Sequence, residues 1–134
     1  MNQKADDLKK RTKKFALDVL KFARTLPGTD DVNDIARQLR RAATGLGSNY
    51  RATCLARSDV EFVSRVGVAL EEADESAFWL EIITEDKIST TKEAFRLLDE
   101  ANQLTAILAQ SKITATERLN RRPGSSLRRQ SNIQ

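Results

Sequence analysis

The sequence predicts an all-α protein, an antiparallel up-down-up-down four-helix bundle with a basic C-terminal tail. Three observations support this prediction. Apolar residues recur every three or four positions through four long segments, which is the spacing of one face of a helix. The 134 residues include only five glycines and two prolines, so few positions interrupt a helix. The connections between the segments are short, and short connections force successive helices to run antiparallel.

A Pro-Gly pair at 27–28 separates the first two helices. We expect the first helix over about residues 5–26, because proline disfavours helical geometry in the residue before it. The second helix should cover about residues 30–53. It contains Gly45 and Gly47, each of which costs about 1 kcal/mol relative to alanine inside a helix. These glycines therefore indicate a bend or a close approach to another helix.

Two capping boxes predict where the third and fourth helices begin. In such a box a hydroxyl and a carboxylate three residues later bind the free backbone groups of the first turn. Ser58 with Glu61 forms the first box, and Thr90 with Glu93 forms the second. The apolar stripe of the third helix is wider than one neighbouring helix would cover, so this helix should be central or face another subunit. The fourth helix should end near Ile113.

We predict two regions on this basis. Residues 1–113 should form the four-helix bundle. Residues 114–134 contain Pro-Gly-Ser-Ser and five arginines with few apolar residues, and they should form a flexible basic tail.

The charges are segregated along the chain. Residues 1–65 carry 14 basic and 8 acidic side chains, whereas residues 66–113 carry 4 basic and 10 acidic ones. The last 21 residues carry five arginines and one glutamate. Such a division favours self-association of a basic face with an acidic one, and the basic face and tail could also meet phosphates.

The residue inventory excludes several classes of enzyme. The chain has no histidine and one cysteine, Cys54, so one chain cannot assemble the usual zinc sets or a Ser-His or Cys-His pair. The di-iron sites of ferritin-like bundles also require histidine. We therefore expect no catalytic residue, metal or cofactor, and no small-molecule substrate is evident. For Cys54 two interpretations stay open, a buried small hydrophobe or a thiolate activated by nearby arginines.

The expected location is the cytoplasm. The first fifteen residues alternate charges without the apolar core of a signal peptide. Nowhere do the roughly 18 apolar residues of a membrane span run together. A single cysteine cannot form an intramolecular disulfide, which suits a reducing compartment.

Four motifs carry a resemblance to a known family. In order along the chain they are Q-L-R-R-A-A at 38–43, S-N-Y-R at 48–51, A-R-S-D-V-E-F at 56–62 and E-E-A-D-E-S-A-F-W-L-E at 71–81. With these motifs the chain resembles the bacterial four-helix-bundle proteins of the 23S ribosomal RNA intervening-sequence type, over about residues 13–112. The resemblance implies a four-helix bundle that assembles as a ring-like homopentamer and has a link to RNA.

Arginines are the candidate contacts to nucleic acid. Residues 37 and 41 share a helix face, and guanidinium groups bind phosphate through paired hydrogen bonds. The candidates are Arg37, Arg40, Arg41, Arg51, Arg57, Arg65, Arg118, Arg121, Arg122, Arg128 and Arg129. The alternative is that the helix arginines pair with the carboxylates at 71–75, within or between subunits.

The third helix supplies the candidate contacts between subunits. Its aromatic residues belong more often to a core or an interface than to a base-stacking site. The candidates are Phe62, Glu71, Glu72, Glu75, Trp79 and Ile82.

The function predicted from the sequence is a non-enzymatic homo-oligomeric bundle that binds RNA or another nucleic acid through its basic face and tail. The alternative is a structural or protein-protein interaction scaffold that does not bind nucleic acid.

Overall fold

The structure of the chain is a computed structural model, and it describes residues 2–121. These residues form four helices, α1 (Gln3–Ala23), α2 (Asp30–Thr53), α3 (Asp59–Glu85) and α4 (Lys92–Arg121), and no strand. Helix α1 packs against α2 and α4, and α3 packs against the same two helices. Each helix therefore has two neighbours around one core, and the prediction of an all-α four-helix bundle is confirmed.

The core lies along the middle of the bundle and draws on all four helices. Phe15 of α1, Leu39 of α2, Leu80 of α3 and Leu104 of α4 are almost fully buried. Burying a side chain of this size contributes about 1.5–3 kcal/mol. The apolar stripes that predict the four helices are therefore also what holds them together.

Two ion pairs join α1 to α4 in opposite order along the two helices. Arg11 pairs with Glu100, and Asp18 pairs with Arg96. Residue numbers thus rise along α1 while they fall along α4, as antiparallel neighbours require. For the other helix pairs the up-down-up-down order stays a prediction.

The first helix ends slightly earlier than predicted, and the third begins where predicted. Helix α1 ends at Ala23, and the following residues form a turn in which the N–H of Leu26 donates to the carbonyl of Ala23. The hydroxyl of Ser58 accepts a hydrogen bond from the N–H of Glu61 at 3.1 Å. The Glu61 carboxylate accepts from the N–H of Arg57 instead of that of Ser58, so only half of the predicted capping box forms.

The start of α4 differs by one residue from the prediction. The hydroxyl that caps the helix belongs to Thr91, which accepts from the N–H of Ala94 at 3.2 Å. The predicted box of Thr90 with Glu93 is wrong, because the Glu93 carboxylate binds the guanidinium of Arg96.

The end of α4 also differs. The helix continues through Ile113 to Arg121, so the predicted helix end is wrong and the predicted boundary between bundle and tail falls inside α4. Ala115 and Leu119 are buried, and they extend the spacing that Leu108 begins. Polar residues outnumber these two apolar side chains in the last stretch of α4. For this reason the sequence pattern did not predict its last two turns. Residues 122–134 lie outside the described residues.

Helix α2 runs unbroken through both of its glycines, and both face other helices. A Cβ placed on Gly47 would lie 3.5 Å from the carbonyl oxygen of Thr12 and 3.7 Å from the Cα of Lys13. A Cβ on Gly45 would lie 3.1 Å from the carboxylate of Glu72. Of the two interpretations of these glycines, the structure supports a close approach between helices.

The end of α3 is closed by a left-handed residue. Lys87 has φ 55°, and its N–H donates to the carbonyl of Thr84 while the N–H of Ile88 donates to that of Ile83. These are the two hydrogen bonds of a Schellman motif, which satisfies carbonyl groups that the helix leaves free. Ile88 packs against the core, and so fixes the connection to α4.

Candidate functional site

The outward side of α3 combines apolar side chains with carboxylates. Spacings of three and four residues place six side chains on this side, and we call them the α3 face: Val68, Glu71, Glu75, Phe78, Trp79 and Ile82. Val68 and Phe78 are exposed, and Trp79 and Ile82 are half-buried. The Phe78 and Trp79 rings meet edge to face with their centroids 5.0 Å apart.

The α3 face contains four of the six predicted interface residues. Glu71, Glu75, Trp79 and Ile82 belong to it, and the indole N–H of Trp79 donates to the Glu75 carboxylate at 3.4 Å. Val68 and Phe78 were not predicted, although their spacing from Glu71 and Glu75 places them on the same side. The face is therefore more apolar than the sequence analysis suggested.

The other two predicted interface residues point elsewhere. Phe62 lines a groove between α1 and α4. Glu72 faces α2, where its carboxylate lies against Gly45. Burial raises the pKa of Glu72, and the negative charge of Glu75 raises it further, while Arg41 lowers it. Glu72 is thus a carboxylate held inside the α2–α3 contact.

The outward side of α2 is basic and polar. Four exposed residues at spacings of four, three and four residues form what we call the α2 face: Arg37, Arg41, Thr44 and Ser48. Arg40 and Arg51 lie on the side nearer α1. They are seven residues before and four residues after Gly47, which itself contacts α1.

The arginines of the α2 face and the carboxylates of the α3 face do not pair within one chain. Arg37 pairs with Asp34 at 2.7 Å. Among residues 2–121, the side chains of Arg40, Arg41, Arg51 and Arg57 form no ion pair within 4.0 Å, and neither do Glu71, Asp74 and Glu75. Inside one subunit these arginines thus form no ion pair within 4.0 Å with the carboxylates at 71–75, although the charge of Arg41 acts on Glu72. Pairing between subunits stays a prediction.

The remaining candidate arginines are spread over the end of the bundle where α3 begins. Arg65 pairs with Glu61 at 2.9 Å, and Arg118 pairs with Asp59 at 3.5 Å. Arg121 is the exposed last residue of α4. The candidates Arg122, Arg128 and Arg129 lie outside the described residues.

A basic row on α1 was not predicted from the sequence. Lys10, Lys13, Lys14 and Lys21 are exposed and recur at helical spacing opposite the buried stripe of α1. Because Lys13 lies beside Gly47, this row adjoins the arginines of α2. The same three- and four-residue spacing that predicts the core would have identified it.

A groove of about 670 Å³ separates the beginning of α1 from the last turns of α4. Its lining includes Leu8, Tyr50 and Ile107 together with the charged Lys4 and Asp7 at its edge. The groove forms because α1 and α4 are the neighbouring helices with the least contact.

Cys54 lies one helical turn after Tyr50 and is half-buried. Burial raises the pKa of its thiol, although a hydrogen bond with Tyr50 and the charge of Lys9 lower it. The thiol is therefore protonated at neutral pH, which argues against the interpretation of an activated thiolate.

Two further properties of the described residues bear on the class of protein. In residues 2–121 no cluster of three or more histidine, cysteine, aspartate or glutamate side chains is arranged to hold a metal ion. Over the same residues, no helix is both long enough and apolar enough to cross a membrane.

The chain is thus an all-helical four-helix bundle with a basic face on α2 and an apolar, acidic face on α3. The sequence model of the 23S rRNA-intervening sequence protein family matches residues 4–110. The chain belongs to this family, which confirms the resemblance found in the motifs.

Solved structures share the fold, and one of them has a known family. It is the crystal structure of a protein with unknown function from the S23 ribosomal protein family of Bacteroides thetaiotaomicron VPI-5482. The TM-score is 0.71 at 22% sequence identity, and the match covers 78% of this chain and 97% of that one. At this identity the likeness shows the fold alone. A search of curated proteins finds no match.

Proposed function

We propose that this chain is a non-catalytic bundle that works as a homo-oligomer, held together through its α3 face. The observation that carries the proposal is the apolar part of that face. Val68 and Phe78 stand exposed beside the half-buried Trp79 and Ile82. Contiguous apolar side chains on a surface mark interaction sites, whereas scattered ones need no explanation. Adjacent aromatic residues are also typical of the centre of an interface.

Light scattering after size-exclusion chromatography tests the proposal. The chain has a mass of 15.0 kDa, and we expect a species several times heavier at micromolar concentration. The ring-like pentamer implied by the family would be five times heavier. A single-chain mass over the whole micromolar range would contradict the proposal.

A matched pair of substitutions assigns the contact to the α3 face. Phe78→Lys places a charge in the middle of this face and should shift the protein toward single chains. Leu17→Lys makes the same change on α1, and Leu17 and Phe78 are both 49% exposed. We expect the Leu17 variant to keep the wild-type mass. Equal behaviour of the two variants would contradict the assignment.

Nucleic-acid binding is the second candidate function, and the basic region shared by α1 and α2 favours it. Lys13 lies beside Gly47, and Arg51 follows Gly47 by one helical turn. Neither side chain forms an ion pair within 4.0 Å in residues 2–121. No aromatic residue belongs to the basic row of α1 or to the α2 face. Such a region would contact the phosphate backbone without stacking on bases, so binding should be independent of sequence.

Titration with a labelled RNA duplex at several salt concentrations tests this second function. Affinity should fall steeply with salt, and Lys13→Ala with Arg51→Ala should reduce the slope of the log-log plot by about 2. Lys87→Ala with Lys92→Ala removes the same charge, from the turn after α3 and from the first residue of α4, and should leave the slope nearly unchanged. Absence of binding at low salt with the complete chain would favour the scaffold alternative.

A further inference from the structure

We propose that the α3 face of one copy of the chain binds the α2 face of a second copy, so that the arginines of one pair with the carboxylates of the other. This inference rests on the proposed self-association and names the surface that receives the α3 face. The occupant of each face is thus another molecule of the same chain.

Charge complementarity is the first argument for this contact. Within residues 2–121 Arg41 forms no ion pair within 4.0 Å, although its charge lowers the pKa of Glu72, and Arg37 pairs with the exposed Asp34. Glu71 and Glu75 have no basic partner in the same part of the chain. The two faces thus carry opposite charges with no ion pair between them in the single chain, and interfaces are arranged so that such potentials meet.

The spacing of the charges is the second argument. Arg37 and Arg41 are one helical turn apart, and so are Glu71 and Glu75. Two helices that cross at a small angle can therefore form both pairs at once.

The shape of the α2 face is the third argument. The side chains that follow the arginines, Thr44 and Ser48, are small and exposed. They leave room for the larger Phe78 and Trp79 of the approaching α3 face. Apolar contact at the centre with charged pairs around it is the usual anatomy of a protein interface.

The contact has a consequence for assembly. It joins two different surfaces, so each copy can bind one neighbour through α3 and another through α2. Interfaces of this kind close into rings when the rotation between copies allows it.

Charge reversal tests the contact. Arg37→Glu with Arg41→Glu makes both faces acidic, and Glu71→Arg with Glu75→Arg makes both faces basic. Each double variant should associate at least about ten-fold more weakly than the wild type, measured by light scattering over a dilution series. The chain that carries all four substitutions has complementary faces again, and it should recover association.

Two controls keep the test specific. Lys21→Glu with Glu117→Arg reverses one charge of each sign at exposed positions outside both faces, and this variant should associate like the wild type. Circular dichroism of every variant should show the wild-type helix content, because exposed charges contribute little to folding.

The outcomes separate this inference from the proposed function. If the wild type is a single chain, both fail. If the wild type is oligomeric and the reversed variants associate as it does, self-association stands and the pairing of the α2 and α3 faces is overturned. Weak association of the fourfold variant, when it is folded, overturns the pairing as well.

Discussion

Lys87 has a backbone conformation that residues other than glycine rarely adopt. Its φ of 55° lies in the left-handed region, where a non-glycine residue is strained by contact between Cβ and the following carbonyl oxygen. The Schellman motif nevertheless needs this conformation to satisfy the last carbonyls of α3. The residue therefore supports the helix end at a local cost.

We predict that Lys87→Gly stabilises the protein. Glycine adopts the same φ without strain, so the free energy of unfolding should rise by about 0.5–1 kcal/mol. Urea denaturation measures the change. Asp86→Gly is the control, since Asp86 has φ −82° and gains nothing from glycine. A Lys87→Gly variant less stable than the wild type would show that the lysine side chain contributes more than the strain removes.

We predict that Glu72→Gln stabilises the protein at neutral pH. Burial raises the pKa of Glu72 above that of an unfolded glutamate, so the folded chain binds the proton more tightly. Stability therefore falls as pH rises through the window between the two pKa values, and the loss persists at pH 7. The glutamine side chain does not ionise, so the variant does not lose this stability at neutral pH. Below about pH 4.3, where glutamate is protonated in both states, the advantage should disappear.

Thermal unfolding at pH 7 and at low pH measures the effect. Glu117→Gln removes the same charge at an exposed position of α4 and should change stability little. An advantage of Glu72→Gln that persists unchanged at low pH would mean that the ionised carboxylate is not its source.

Packing of α1 on α2 leaves room at Gly47 for a methyl group but not for a larger side chain. The methyl group of an alanine would lie 3.5 Å from the Thr12 carbonyl oxygen, which is an ordinary van der Waals distance. Gly47→Ala should therefore stabilise the protein by up to about 1 kcal/mol, because alanine has the higher helix propensity. Gly47→Leu would force the two helices apart and should destabilise the protein by about 1–3 kcal/mol. Urea denaturation distinguishes the two signs. If leucine stabilises as much as alanine does, the helices are less closely packed than the structure indicates.

The four helices could be predicted because their signals are local. The apolar stripes define each segment, and the hydroxyl of Ser58 caps α3 as its spacing from Glu61 suggests. Thr90 and Thr91 are equivalent in the sequence, and only the position of Ala94 in the packed helix selects Thr91. Similarly, the last turns of α4 are stabilised by burial of Leu119 in the folded chain, and local composition does not show this burial.

The candidate site was predictable in part for the same reason. Which residues share the α3 face follows from helical spacing, and Glu71, Glu75, Trp79 and Ile82 were identified in this way. The orientation of Glu72 toward Gly45 depends on where α2 lies. That Arg41 forms no ion pair within 4.0 Å in residues 2–121, and acts only at longer range on Glu72, depends on how α2 and α3 are packed. Such facts become visible only when the helices are assembled.

For the whole molecule, the length of α4 determines where the bundle can be shortened. We predict that a chain ending at Ile113 is less stable than one ending at Arg121 by about 2–4 kcal/mol, because it lacks the buried Ala115 and Leu119. Urea denaturation of the two chains measures the difference. Equal stabilities would mean that the last two turns of α4 contribute nothing to the core. Any comparison designed to isolate the basic tail should therefore begin its deletion after Arg121.

The groove between α1 and α4 indicates which helix should unfold locally at the lowest free energy. Helix α1 has more contact with α2 than with α4, to which it is also joined by the ion pairs of Arg11 and Asp18. Native-state hydrogen exchange should therefore find the amides of α1 exchanging at a lower free energy than those of α3. In such an opening, α1 would separate from the bundle by rotation about residues 24–29, while α2, α3 and α4 stay packed against one another.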